Sequence, residues 1–253
     1  MTTAPLPDLP ASRTEPDGSA VVRVLSYNIR SMRDDVDALG RVIRACAPDV
    51  VCVQEAPRFF RWRKAAARLG RASGLVYVTG GATASGPMIM SSLRAHVERA
   101  EDVLLPRTPG LHQRGFATAV LRFGRARLGV LSCHLSIKDR ERYEQGGLLL
   151  ERLAALDVPY AVAAGDLNDR PDGRTFGLLA DALQDGWATR PWGREHTTRL
   201  GDPLQRIDAV FATGGVEFLG CGVPMGLPGV EERDLRAATD HLPVLAAVRV
   251  PAS

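Results

Sequence analysis

Short apolar runs, each closed by one or two polar residues, recur along this chain from Val21 to Val250. Val21–Tyr27, Val50–Val53, Leu75–Val78, Met88–Met90, Val97–Leu104, Phe116–Phe123, Leu128–Leu135 and Tyr160–Ala164 are too short for ordinary helices. They predict strands, as do Ile207–Phe211, Val216–Val223 and Leu242–Val250. Gly124-Arg125 predicts a hairpin turn between two of these runs. Helical spacing takes over in four places. Val36, Leu39, Val42, Ile43 and Cys46 recur at helical intervals within Asp34–Cys46, which Pro48 closes. Phe59–Leu69, Asp139–Leu156 and Thr175–Leu183 are the others, the second weakened by Gly146-Gly147. Residues 185–205, rich in Gly, Pro, Arg and Trp, predict a long surface loop. Closely spaced strand pairs with a few helices predict helices covering two stacked sheets.

Composition narrows this without redirecting it. A chain of 253 residues, 45% hydrophobic and 24% charged, suits one large α/β domain over 21–253 after a disordered tail at 1–20. That tail lacks the apolar stretch of a secretory signal, and no run of about 18 apolar residues follows. The expectation is a cytoplasmic protein with no stable membrane insertion and no obligate protein partner. Cys46, Cys52, Cys133 and Cys221 stand singly in apolar runs, which predicts buried thiols and no zinc site. Net charge is only +3, yet 30 of the 32 basic residues are Arg. A GC-rich genome accounts for that bias, and guanidinium forks also grip phosphate.

The candidate chemistry sits where the apolar runs stop. Asn28, Gln54-Glu55, His134, Gly165-Asp166-Leu167-Asn168 and Asp240-His241 all follow such runs. Each has an ordinary use: Asn in a turn, Glu at a solvated strand end, His in a satisfied core, Gly-Asp-Leu-Asn as a turn, Asp208 as the ion-pair partner of Arg206. Together they supply hard oxygen ligands, a base for water and donors for an anionic transition state. Metal-assisted attack on a phosphoester needs that set.

The ordered strings Leu25-Ser26-Tyr27-Asn28, Val53-Gln54-Glu55, Ser132-Cys133-His134-Leu135, Gly165-Asp166-Leu167-Asn168, Arg206-Ile207-Asp208 and Thr239-Asp240-His241-Leu242-Pro243 resemble the endonuclease/exonuclease/phosphatase (DNase I-like) superfamily. The resemblance implies a four-layer α/β/β/α sandwich of two mainly antiparallel sheets with outer helices. It implies a divalent cation, Mg²⁺ with Mn²⁺ as a substitute. Glu55 would be the principal metal ligand, with Asn28 and Asp240 close to the metal. Asp166 and Asn168 would orient water and hold phosphoryl oxygens. His241 would be the general base supported by Asp208, and His134 a donor to the phosphoryl group.

The chain departs from the abasic-site endonuclease branch. Arg30 stands where that branch has an acidic residue, and His134 where it has Asn. Abasic-site repair is therefore not expected. The complete set of site residues makes a phosphodiester the expected substrate, nucleic acid first, with a small-molecule or lipid phosphoester as the alternative and a non-catalytic binding module as the third option. Arg114 is a candidate phosphate clamp. The stretch Arg58–Arg71 predicts an amphipathic helix with Phe59, Trp62, Ala66 and Leu69 on one face and Arg61, Lys64, Arg68 and Arg71 on the other. Its basic face is either simply solvated or a phosphate-binding patch. Trp187 and Trp192 either pack the long loop down or stack on a substrate.

Overall fold

Ala20–Asn28 is buried at every position, so it needs cover on both faces. The computed structural model, which describes residues 6–198 and 204–253, supplies that cover as two face-to-face sheets with helices outside them. In chain order the elements are β1 (Arg13–Thr14), β2 (Ala20–Asn28), α1 (Val36–Cys46), β3 (Val50–Gln54), α2 (Trp62–Ser73), β4 (Val76–Gly80), β5 (Met88–Ser91), β6 (His96–Leu104), β7 (Gly115–Phe123) and β8 (Ala126–His134). There follow α3 (Asp139–Ala154), β9 (Ala161–Asp166), α4 (Arg174–Ala182), β10 (Gln184–Asp185), α5 (Gly186–Thr189), β11 (Asp208–Ala212), β12 (Glu217–Gly222), α6 (Glu232–Ala238) and β13 (Val244–Val250).

One sheet runs β12-β13-β2-β3-β5-β4, with β1 paired to β2; the other runs β10-β11-β9-β8-β7-β6. Only β2–β3 and β8–β9 are parallel among these pairs, and helices α1 and α3 make the two crossovers. Alternate residues of β2 explain the layering. Val22 and Val24 face the core between the sheets with Val130, Val162, Val244 and Val248, whereas Leu25 and Tyr27 face Leu39, Ile43 and Leu69 of the helical layer. On the far side Leu131, Ala163 and Phe211 pack against Leu149, Leu153, Phe176 and Leu179. The layering is the α/β/β/α sandwich that the resemblance implies.

Residues 6–20 depart from the disordered tail expected of them; residues 1–5 lie outside the described residues. Leu9 is buried in the outer core, Trp192 Nε1 donates to Pro7 O at 2.8 Å, and β1 pairs with β2. The cause is Arg23, a cation inside a buried strand. Its guanidinium meets Asp8 Oδ1 at 2.7 Å and donates to the carbonyls of Leu9, Pro10 and Cys46. A buried charge needs such partners, and the polar segment supplies them.

Three further differences have local causes. The helix expected from Phe59 starts at Trp62, leaving Phe59 exposed, because Arg61 adopts a left-handed backbone (φ 60°). Helix α6 has no counterpart among the expected helices, since its seven residues are too few to show a helical period. Within 185–205, residues 199–203 lie outside the described residues, but the rest is ordered by α5 and by bridges of Pro191 to Cys221 and Arg194 to Val223. Trp187 and Trp192 pack against Gly222 and Gly220 there, so they fasten the loop.

Candidate active site

Register brings the polar strand ends to one rim. Asn28 pairs with Gln54, His134 with Asp166, Asp166 with Asp208, and Val244 with Ser26. Four strands therefore leave, and two enter, within a few residues of each other. Gly165 permits the closest of these approaches, since a Cβ there would lie 2.1 Å from Cys133 O.

At the centre is the Asp166 carboxylate, almost fully buried. Asn28 Nδ2 donates to Asp166 Oδ2 at 3.0 Å and lies 3.3 Å from Glu55 Oε1. His134 Nε2 and His241 Nε2 approach the same Asp166 oxygen at 3.5 and 3.7 Å. Behind His241, Nδ1 lies 2.9 Å from Asp208 Oδ2, which fixes the ring and its tautomer. Asn168 N donates to Asp166 Oδ1 at 2.9 Å, while its side-chain amide donates to Leu135 O. Asn168 thus holds the turn that aims Asp166. Asp240 sits at the edge, within 3.2 Å of both Thr239 Oγ1 and Arg30 Nε. Thr239 Oγ1 also donates to Asn28 O.

The loops that carry these groups are conformationally constrained. Glu55 (φ 52°) and Asn168 (φ 50°) both occupy the left-handed region, which costs roughly 1 kcal/mol or more for a residue such as Glu. Contacts to the neighbouring turns hold Glu55 there: Ser31 N donates to Glu55 O at 2.8 Å and Ala56 N to Gly86 O at 3.0 Å.

Two histidines of one site are driven in opposite directions. Burial pushes His134 down to about 4, so it is a neutral imidazole at pH 7. Burial also disfavours charge on His241, but the charge and hydrogen bond of Asp208, with Asp166 and Asp240, outweigh it and raise the group to about 10. Arg114 is also lowered, chiefly by burial. It lines a cavity of about 190 Å³ together with Glu55, Arg58, His112, His134 and Ser31, and its guanidinium has no carboxylate within ion-pair distance among the described residues.

Glu55, Asp166 and Asp208 likewise have no Arg or Lys within ion-pair distance among the described residues. Uncompensated carboxylates of this density fit a hard divalent cation. Ligand atoms of Asp166, Asp208 and His241 lie within 4.8 Å of one another, but Asp208 and His241 already bind each other, which leaves those atoms less free for an ion. Glu55, with one neutral donor, has the freer oxygens.

Every one of Asn28, Glu55, His134, Asp166, Asp208 and His241 belongs to this one network, with Asn168 and Asp240 directly attached to it and Arg114 across the cavity. Sequence reasoning missed Ser31 and His112 in the cavity, and Thr197, whose Oγ1 accepts from Ile207 N and Asp208 N at 3.1 Å. Thr197 carries no sequence signal, because its role is made by a loop returning to a distant strand.

A family model described as Endonuclease/Exonuclease/phosphatase family matches residues 25–241. No curated protein matches the sequence significantly. Among solved structures, a mannosyl-6-phosphatase from Bacteroides thetaiotaomicron is 17% identical with a TM-score of 0.73, over 90% of this chain and 99% of that one. An endonuclease/exonuclease/phosphatase from Beutenbergia cavernae is 23% identical (TM-score 0.69; 91% and 72% covered). A humanized D. rerio TDP2 is 19% identical (TM-score 0.65; 90% and 98% covered). At such identities these likenesses show a shared fold.

Proposed function

This chain belongs to the endonuclease/exonuclease/phosphatase family, and from that premise we propose that it is a Mg²⁺-dependent phosphoesterase whose substrate is a phosphodiester, nucleic acid first. Membership points to hydrolysis of phosphoester bonds. The observation that carries the finer proposal is the Asp166 carboxylate, held by the Asn28 amide and faced by two imidazoles, one of them backed by Asp208.

Glu55 and Asp240, with Asn28 between Glu55 and Asp166, would hold the cation. When bound it supplies Lewis-acid polarisation of a phosphoryl oxygen and offsets local negative charge. His134, neutral, donates to a non-bridging oxygen, and Arg114 faces that oxygen from across the cavity. Asp166, aimed by Asn168, orients the attacking water. His241 takes the water's proton, and Asp208 stabilises the imidazolium that results. That base role requires His241 to be neutral first, so the charge of Asp166 and Asp240 must be offset before it can act.

Hydrolysis of bis-p-nitrophenyl phosphate and of oligonucleotides with Mg²⁺ or Mn²⁺ tests the proposal. EDTA should stop it and Asp166→Ala should abolish it; turnover that survives both defeats it. The cavity's modest volume and its two guanidiniums also favour a second substrate class, a small phosphomonoester. Parallel assays on p-nitrophenyl phosphate and a sugar phosphate separate the two.

A further inference from the structure

Immediately after Glu55 the chain leaves the rim as Ala56-Pro57-Arg58-Phe59-Phe60-Arg61 and enters α2. Arg58 lines the cavity beside Glu55 and is anchored there, its Nη1 donating to Ser85 O and Oγ at 3.2 Å. Phe59 and Phe60 then stand 82% and 88% exposed, the most exposed aromatic rings among the described residues. Neither belongs to a core cluster; each has a guanidinium over it, Arg58 at 5.8 Å from the Phe59 centroid and Arg61 at 4.9 Å from that of Phe60. Two exposed rings that follow a cavity-lining residue have no folding purpose, since burying them would stabilise the fold and exposing them does not.

The helix beyond continues the pattern. Arg61, Lys64, Arg68 and Arg71 recur at three- and four-residue intervals on its solvent face, all exposed, while Ala66, Leu69 and Ser73 face the core. From Arg61 to Arg71 this stripe extends about 15 Å. No acidic residue occurs between 56 and 74, and none of these four cations has an ion-pair partner among the described residues. The opposite flank differs. There Arg30 is paired with Asp240 and Asp34, Arg41 with Asp234, and Arg236 with Glu232. On that flank acidic residues are interleaved with the cations, of which Arg33 and Arg233 have no ion pair among the described residues, whereas the stretch 56–74 carries no acid at all.

Resting on the phosphodiesterase reading above, we propose that the substrate is a single-stranded nucleic acid, laid along one side of the site with bases stacked on Phe59 and Phe60 and backbone phosphates along Arg61, Lys64, Arg68 and Arg71. Stacking accepts any base because every base presents a π-face, and a row of cations follows the backbone without reading sequence. A duplex has its bases already stacked on each other, so exposed rings offer it nothing. It also carries phosphates on two strands, and the flank beyond Asp240 mixes its cations with acidic residues that would repel a second strand. Arg58 joins the two parts by facing the cavity and covering Phe59 at once.

The test uses fluorescein-labelled oligo-dT and its duplex with oligo-dA, measured by anisotropy in EDTA, with Phe59→Ala/Phe60→Ala and Arg61→Ser/Arg68→Ser as variants. Wild type should bind the single strand more tightly than the duplex. Loss of both rings should weaken single-strand binding about 30-fold or more. Loss of two cations should flatten the slope of log affinity against log salt by about 1.4, at roughly 0.7 per phosphate contact. Turnover of bis-p-nitrophenyl phosphate, which has no strand to lay down, should stay unchanged in both variants. Equal or tighter duplex binding, or ring loss without effect on the single strand, overturns the proposal. So does Phe59- and Phe60-dependent capture by phosphatidylglycerol vesicles with no oligonucleotide binding, which assigns the patch to a membrane surface. Absence of any Mg²⁺-dependent turnover in the wild type is a separate failure, that of the catalytic assignment, and leaves the binding result readable.

Discussion

Asn28 ends a strand of one sheet, Asp166 ends a strand of the other, and the amide of the first donates to the carboxylate of the second at 3.0 Å across 138 residues of sequence. The two sheets are thus joined at their polar rim as well as through their apolar faces. Asn28 also separates Asp166 from Glu55, so a neutral donor stands between two like charges. Asn28→Leu should lower stability by about 1–3 kcal/mol, the cost of leaving buried acceptors unsatisfied, as read by urea unfolding. Added Mg²⁺ should recover less stability in the variant than in wild type, because Glu55 and Asp166 lose the spacer that sets their distance.

Asp208 lies behind His241, and its carboxylate helps hold that imidazole at about 10 in the metal-free protein. Asp208→Asn should bring the His241 titration, followed by NMR, down toward the ordinary histidine range. Turnover should fall about 10²- to 10⁴-fold, the usual worth of a positioned base and its support. A variant whose His241 titrates as in wild type removes Asp208 from that role.

The opposite shifts of the two histidines give the metal-free protein a stability maximum. His134 is held near 4, below its unfolded value of about 6.5, so its contribution is present above that value and is lost as pH falls from about 6.5 to 4. His241 is held near 10, so its contribution is complete below about 6.5 and is lost as pH rises from there to 10. Thermal midpoints recorded in EDTA from pH 4 to 10 should decline on both sides of about 6.5. His134→Gln should remove the acid-side decline selectively.

Glu55→Gln keeps the volume and removes one charge from the site. Mg²⁺ affinity by calorimetry should drop at least about tenfold, since the freest carboxylate is gone. Without metal the variant should unfold at the same or a higher temperature, because a like charge near Asp166 has been neutralised. A fall in metal-free stability alongside unchanged Mg²⁺ affinity assigns Glu55 to structure.

Much of the sandwich is legible in one dimension because strands buried on both faces must be apolar throughout. Val50–Val53 and Val21–Tyr27 announce themselves that way, and the polar residue closing each run marks the rim. Helix α6 and the ordered segment at 6–20 are not legible: the first is too short to show a period, and the second is tied down by Arg23, which in sequence looks like any other arginine. Phe59 shows the same limit, since its helical spacing with Trp62 and Leu69 suggests a buried face that the left-handed turn at Arg61 prevents.

Residue identity alone determined which chemistry is available here: carboxylates, amides and imidazoles at the ends of apolar runs, in an order that only a converging site explains. Tertiary structure decided their partnerships. Burial drives His134 toward neutrality while Asp208, Asp166 and Asp240 hold a proton on His241, and two residues of the same type thereby acquire opposite charge states. Desolvation and Coulomb energy depend on distances in space, and no sequence spacing encodes whether residues 134 and 241 will meet at one carboxylate.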